Sequence, residues 1–322
     1  MARICILNVS FEGSRSSRST LDPLQNPEPY LPEHNYTRKF IRYRYERQEV
    51  EALAHQGYDC FINLCDGGSD EDLAGIEVVE SLEALGLPFT GSKSFCYDPT
   101  RQQMKTASQQ AGLLTADHWF ATNLEDARTY YNSVPFPVIV KHPHGYNSEG
   151  ITQHSVVSDF QNLERQVEIA LKKYGSVLVE AFIPGREFTV LVAENADGFE
   201  SPLVYQPVEF EFPEGETFKH FDLKWKGYQQ LRCKPVENIE LNQQLQLISR
   251  AYFQAMKASG YGRIDFRMDG RGNIYILEIN PNCSIFYPPE DAGSADFILL
   301  NDPAGHRGFL QNQLKLAALR GK

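Results

Sequence analysis

The sequence is poor in the features that mark several protein classes. Its six cysteines (Cys5, Cys60, Cys65, Cys96, Cys233, Cys283) include no Cys-x-x-Cys pair, which speaks against a thiolate zinc cluster and a disulfide scaffold. No apolar run approaches the roughly 18 residues that span a bilayer. Met1-Ala2-Arg3 leads straight into the strand-like Ile4–Val9, with no secretory leader pattern. Positive charge is in deficit: 31 Lys and Arg against 42 Asp and Glu leave a net charge of −11. A general nucleic-acid or anionic-membrane surface is therefore not expected. One bound nucleotide stays open, because a few local cations are enough to hold it. No repeat or low-complexity block occurs. The expectation is a soluble, reduced, cytoplasmic protein.

What is present is an ordinary globular composition, 42% hydrophobic and 23% charged over 322 residues, enough for two or three domains. Strand-like Arg3–Val9 precedes a long polar stretch from Ser10 to Asn35, a length at which a loop is often a functional lid. Helix signals then run from Thr37 to Gln56, with strands at Cys60–Leu64 and near Phe89 around a helix ending at Leu85. That rhythm reads as a parallel α/β layer. A boundary is placed near Phe95, giving segments 1–95, 96–185 and 186–322. The middle segment alternates strands (117–120, 137–141, 176–182) with helices (100–111, 124–132, 159–173). The last has strands near 186–194 and 203–210, a helix at 240–258, and a hairpin, 262–268 and 273–279.

That hairpin carries chemistry. Asp265, Glu278 and Asn280 alternate with apolar neighbours, so Glu278 and Asn280 share a face that pairing can bring to Asp265. Three oxygen donors without His or Cys suit a hard cation that also takes phosphate oxygens. A half-exposed hairpin with a polar face would look the same. Pro137–Lys141 is a strand ending in lysine, followed by a loop, His142–Gly150, whose amides can wrap phosphate. The pattern is not a P-loop. The pair His142/His144 fits a solvent-facing loop better than a metal site, and Cys283 reads as packing. Glu180 and Glu187 flank an apolar corner, Phe182-Ile183, which can hold a base while a carboxylate accepts from ribose.

In this order the clusters resemble the ATP-grasp superfamily, and within it the D-alanine–D-alanine ligase branch. Asp66–Asp72, Leu87–Ser92 and Arg101–Lys105 extend the resemblance from about Phe61 to Ile285. It implies three α/β subdomains with ATP between the second and third. Arg101, Lys141, Asn147, Ser148, Gly150, Glu180, Phe182, Ile183, Glu187, Lys224 and Leu277 would bind ATP, Ser148 in the phosphate-covering loop and Lys224 on a mobile loop near the γ-phosphate. Asp265, Glu278 and Asn280 would hold Mg²⁺, two ions, with Mn²⁺ as an alternative. Arg263, with the Cys283-Ser284 turn, would steady a tetrahedral oxyanion.

The implied reaction joins a carboxylate, an amino acid, to an amine through an acyl phosphate, releasing ADP and phosphate. The partners are these small molecules, not nucleic acid or membrane, and a homodimer is left open. A small-molecule kinase of the same superfamily and a non-catalytic nucleotide binder are the alternatives; Arg263 beside the metal set speaks against the second. The amino-acid half departs from the family. Arg101 stands where a phosphate lysine is usual, Asp66 replaces a histidine, and Glu12, Asp66 and Tyr287 are the substrate-side candidates. Phe286-Tyr287-Pro288-Pro289 occupies the region of the acceptor-binding serine.

Overall fold

The structure, a computed structural model, describes residues 1–321 apart from Ser17, 19–21, 69–70, 145–150, 221–222 and 224–230. Among the described residues three sheets form. The first is parallel, in order β2-β1-β3, from β1 (Arg3–Val9), β2 (Asn35–Ile41) and β3 (Cys60–Asn63). Strand β1 is apolar on both faces because both are covered. Ile4 and Ile6 enter one core, Cys5, Leu7 and Val9 another. Helices α1 (Glu46–Ala54) and α2 (Ile76–Ala84) pack on the second of these.

The helix expected over Thr37–Gln56 is therefore half strand. Residues 35–41 pair only with β1 and leave Phe40 exposed. A half-solvated edge strand of polar residues has no clean apolar period, and tertiary pairing decides its form. Described residues late in the 10–35 stretch are packed down. Asn26 donates its N–H to the Phe286 carbonyl, Tyr30 stacks on His306 with ring centres 4.5 Å apart, and Leu31 is buried.

Helix α3 (Arg101–Gln110) opens the middle of the chain with a capping box between Thr100 and Gln103. The second sheet comes next, in antiparallel order β4-β7-β5-β6: β4 (His118–Ala121), β5 (Val138–Lys141), β6 (Val156–Val157) and β7 (Val177–Ala181). Helices α4 (Leu124–Tyr130) and α5 (Phe160–Tyr174) cover one face, onto which Val138, Val140, Val177 and Val179 point. Period-two alternation then sends Lys141 and Glu180 to the opposite face.

The third sheet runs β11-β10-β8-β12-β13, with β9 on β8. Its strands are β8 (Arg186–Ala193), β9 (Leu203–Val204), β10 (Val208–Glu211), β11 (Arg232–Pro235), β12 (Tyr261–Met268) and β13 (Ile274–Pro281). Helix α6 (Ile239–Ala255) packs Leu245, Tyr252 and Phe253 against Ile264 and Phe266 of β12. Arg263, Asp265 and Arg267 consequently share the other face. Helices α7 (Ser294–Leu300) and α8 (Gly305–Arg320) return to the first sheet, where Ile298, Phe309 and Leu310 meet Ile4, Ile6 and Ile62. Among the described residues no helix is long and apolar enough to cross a membrane.

Candidate active site

A cleft between the second and third sheets is lined by Lys141, Glu180, Phe182, Ile183, Glu187, Arg263, Asp265, Leu277, Glu278 and Asn280. All ten are residues that the sequence singles out, and the two sheets bring them together. Asn147, Ser148, Gly150 and Lys224 lie outside the described residues.

Asp265 and Glu278 are direct partners across β12 and β13, and the register slips by one residue immediately beyond them. That bulge matters. Strict alternation would put Ile276 and Glu278 on one face, but Ile276 is in the α6-side core and Glu278 lines the cleft. An extra residue on one strand re-aims the side chains beyond it, so Leu277 and Glu278 both reach the site.

The carboxylates are charge-paired. Arg263 forks onto Asp265 with both nitrogen–oxygen distances 3.1 Å, and Thr189 donates its hydroxyl at 2.5 Å. Asn280 adds its amide to Asp265 at 3.3 Å. Burial pushes the Asp265 carboxyl up, but Arg263 and Lys219 outweigh it and hold it well below the usual carboxylate range. Arg101 joins two elements: its Nε donates to the His142 carbonyl at 3.1 Å and its Nη1 to Glu278 at 2.6 Å. Glu278 is likewise lowered, with Arg101 overcoming burial and the like charge of Asp265.

Opposite them, buried Glu180 takes Lys141 on one carboxylate oxygen and Lys105, at 2.5 Å, on the other. Burial alone would raise this carboxyl; the two ammonium groups pull it far down instead. Lys105 closes the Arg101–Lys105 motif, but the sequence reading gives it no site role. A signal for it exists: it follows Arg101 by four residues, the spacing that puts two side chains on one helix face.

On the other side of the β13 turn lies a second polar cluster. Arg18, 5% exposed, pairs with Asp22 and Asp66 at 2.7 Å and with Glu71 at 3.2 Å. Ser284 donates its hydroxyl to Asp66 at 2.7 Å, and Tyr287 donates its own to Asp22 at 2.5 Å. Three of the substrate-side and turn residues, Asp66, Ser284 and Tyr287, thus share one network. Glu12 does not join it and sits on an exposed turn. Asp22, Asp66, Phe11 and Phe40 line a cavity here.

A family profile described as D-ala D-ala ligase C-terminus matches residues 103–285, more than half of the chain. The chain belongs to the D-alanine–D-alanine ligase family. One relative, the D-alanine–D-alanine ligase of Saccharophagus degradans, is 31% identical over 217 residues, covering 66% of this chain and 64% of its own length. The aligned stretch thus spans just under two thirds of that relative. Solved structures extend the likeness along the whole chain. D-alanine–D-alanine ligase from Bacillus anthracis, complexed with ATP, has a TM-score of 0.68 at 16% identity and covers 99% of both chains. The VanG D-Ala:D-Ser ligase of Enterococcus faecalis has a TM-score of 0.70 at 16% identity, covering 98% of this chain and 99% of its own. The fold is ATP-grasp, an α/β fold, as the motif order implies.

The matched stretch contains the cleft residues from Lys105 to Asn280, while Arg101 falls just before it. Asp22 and Asp66 fall outside it.

Proposed function

We propose that the chain is an ATP-dependent ligase joining a carboxylate, an amino acid, to an amine to give an amide or dipeptide, ADP and phosphate. Residues 1–95 form the substrate-side domain, 96–185 and 186–322 the two jaws around ATP. The observation that carries the reading is Arg263 lying beside Asp265, Glu278 and Asn280 in the cleft that also holds Lys141 and Glu180. Arg263 is the counter-charge of Asp265, and a guanidinium fixed at this point is also the cation that stabilising an oxyanion requires.

The substrate carboxylate attacks the γ-phosphorus, forming a C–O–P link as the bond to ADP breaks. The amine nitrogen then attacks the acyl carbon, and phosphate leaves with that oxygen and its electron pair. Lys141 and Arg101 neutralise phosphate charge, and Arg263 faces the tetrahedral oxyanion. These steps are positioning and electrostatics.

The donor set fits a magnesium ion. Among the described residues no group of three or more His, Cys, Asp and Glu could hold a metal. Two carboxylates and an amide, already needing the guanidinium groups of Arg101 and Arg263 as counter-charges, match a cation that keeps water and takes phosphate oxygens. Asp265, Glu278 and Asn280 would hold Mg²⁺, with two ions the expected number. When bound, it supplies positive charge at the transferring phosphoryl group.

On the substrate side, Arg18 is saturated by three carboxylates, and Arg15 is 96% exposed beside Asp72. Neither replaces the missing acceptor serine. This supports an acceptor larger than alanine, with D-alanine poor in both positions. Six free thiols support a reducing, cytoplasmic setting. The test is a screen of amino-acid and amine pairs for phosphate release from ATP. A ligase requires both partners together; release or phosphorylation with one alone would favour the kinase reading.

A further inference from the structure

Arg267 has no part in the roles assigned so far, yet it is among the best-held side chains of the cleft. Only 3% of it is exposed. Its Nε donates to the Ile183 carbonyl at 2.6 Å, Nη1 to Glu187 and to the Thr217 carbonyl, both at 2.9 Å, and Nη2 to the Gly185 carbonyl at 3.1 Å. Four of the five guanidinium donors are thus directed at two stretches, 183–187 and Thr217. The same group lies over the Phe182 ring, 4.9 Å from its centre.

The first of these stretches has a particular place in the fold. Residues 182–185 link β7 of the second sheet to β8 of the third, so they are the hinge between the jaws. Phe182 and Ile183 line the cleft where the base is placed, and Glu187, the cross-strand partner of Arg267, is the ribose candidate. The hinge is also pressed onto the end of β12: a Cβ at Gly185, whose φ is +134°, would lie 2.1 Å from the Met268 carbonyl oxygen. Glu187 keeps acceptor capacity despite its partner. One oxygen takes Arg267, and the other, among the described residues, has Lys219 at 3.5 Å.

We propose that Arg267 is the positioning residue of the nucleoside half of the site. It fixes the base-facing hinge peptides and the ribose-facing carboxylate before ATP arrives, so that their ordering is not charged against binding. A lysine cannot do this, because one ammonium cannot reproduce a fork of four donors aimed at four acceptors in two stretches. The inference rests on the nucleotide reading of the cleft.

The test is calorimetric titration of wild type, Arg267→Met and Arg267→Lys with ATP and, separately, with inorganic tripolyphosphate, both with Mg²⁺. Tripolyphosphate probes the phosphate half, which Arg267 does not touch. The expected result is a loss of ATP affinity of about tenfold or more in both variants, with tripolyphosphate binding within about threefold of wild type. ATP affinity within about twofold of wild type, or an equal loss for both ligands, would overturn the inference, the latter because it marks a general structural role. Where Arg267→Met fails to fold, Arg267→Lys decides by the same criteria. A wild type that binds no ATP would remove the nucleotide reading and this inference with it, whereas a binding wild type with unaffected variants removes this inference alone.

Discussion

Glu278 stands directly across the β12–β13 pair from Asp265, at the last matched position before the ladder slips by one residue. Two carboxylates held side by side repel each other. Here each has its own guanidinium, Arg101 for Glu278 and Arg263 for Asp265. A site that keeps both carboxylates ionised and close together is arranged for positive charge.

Glu278→Gln and Asp265→Asn are expected to lower turnover by at least about 10²–10³-fold, the scale of losing one electrostatic stabiliser. Circular dichroism should stay that of wild type, since each change is isosteric. Turnover near wild type in either variant would remove the metal assignment.

ATP with Mg²⁺ is expected to raise the melting temperature, because binding to the native state stabilises it by about 2.7 kcal/mol at a hundredfold excess over Kd. Lys141→Ala should erase most of that shift. It removes a phosphate cation and leaves buried Glu180 with Lys105 alone. A shift equal to that of wild type would mean the phosphates sit elsewhere.

Much of this is legible in the sequence, for a reason visible in particular residues. A strand buried on both faces, such as Arg3–Val9, shows as a continuous apolar run, and polar residues alternating with apolar ones, as in Arg263–Arg267, carry their own period. The bulge that sends Leu277 and Glu278 to one site does not, because it is set by pairing with β12. Edge strand β2 reads as helix for the same reason. Helices α7 and α8 escape the sequence reading, although His306, Phe309, Leu310 and Gln313 repeat at helical spacing and are buried. The Arg18 network joins residues from three distant stretches, and spacing along the chain carries no trace of it.

Acid should destabilise the protein, with a sign fixed by the site. Glu180, Asp265 and Glu278 are all held below their ordinary values in the folded state. Their contribution is complete above the unfolded carboxylate range near 4 and is lost as pH falls through and below it. Unfolding free energy measured by urea from pH 7 to 3 should therefore drop below about pH 5. In Glu180→Gln the acid slope should be shallower by up to about 1.4 kcal/mol per pH unit. An unchanged slope would mean that Glu180 is not ionised between its two lysines.

D-Alanine offered alone should be a poor substrate. Arg18 is spent on Asp22, Asp66 and Glu71, and Phe286-Tyr287-Pro288-Pro289 occupies the region of the acceptor-binding serine. Steady-state assays would contradict this if they gave efficient D-alanyl-D-alanine formation at sub-millimolar D-alanine, within the usual range of KM.

The central claim is that a substrate carboxylate is activated as an acyl phosphate. A carboxylate labelled with ¹⁸O, drawn from the pair that the phosphate-release screen identifies, tests it most directly. Attack on the γ-phosphorus and departure of phosphate from the acyl carbon move one substrate oxygen onto phosphate. Mass spectrometry of the released phosphate should therefore find one ¹⁸O per amide formed. Unlabelled phosphate accompanying amide formation would contradict the account.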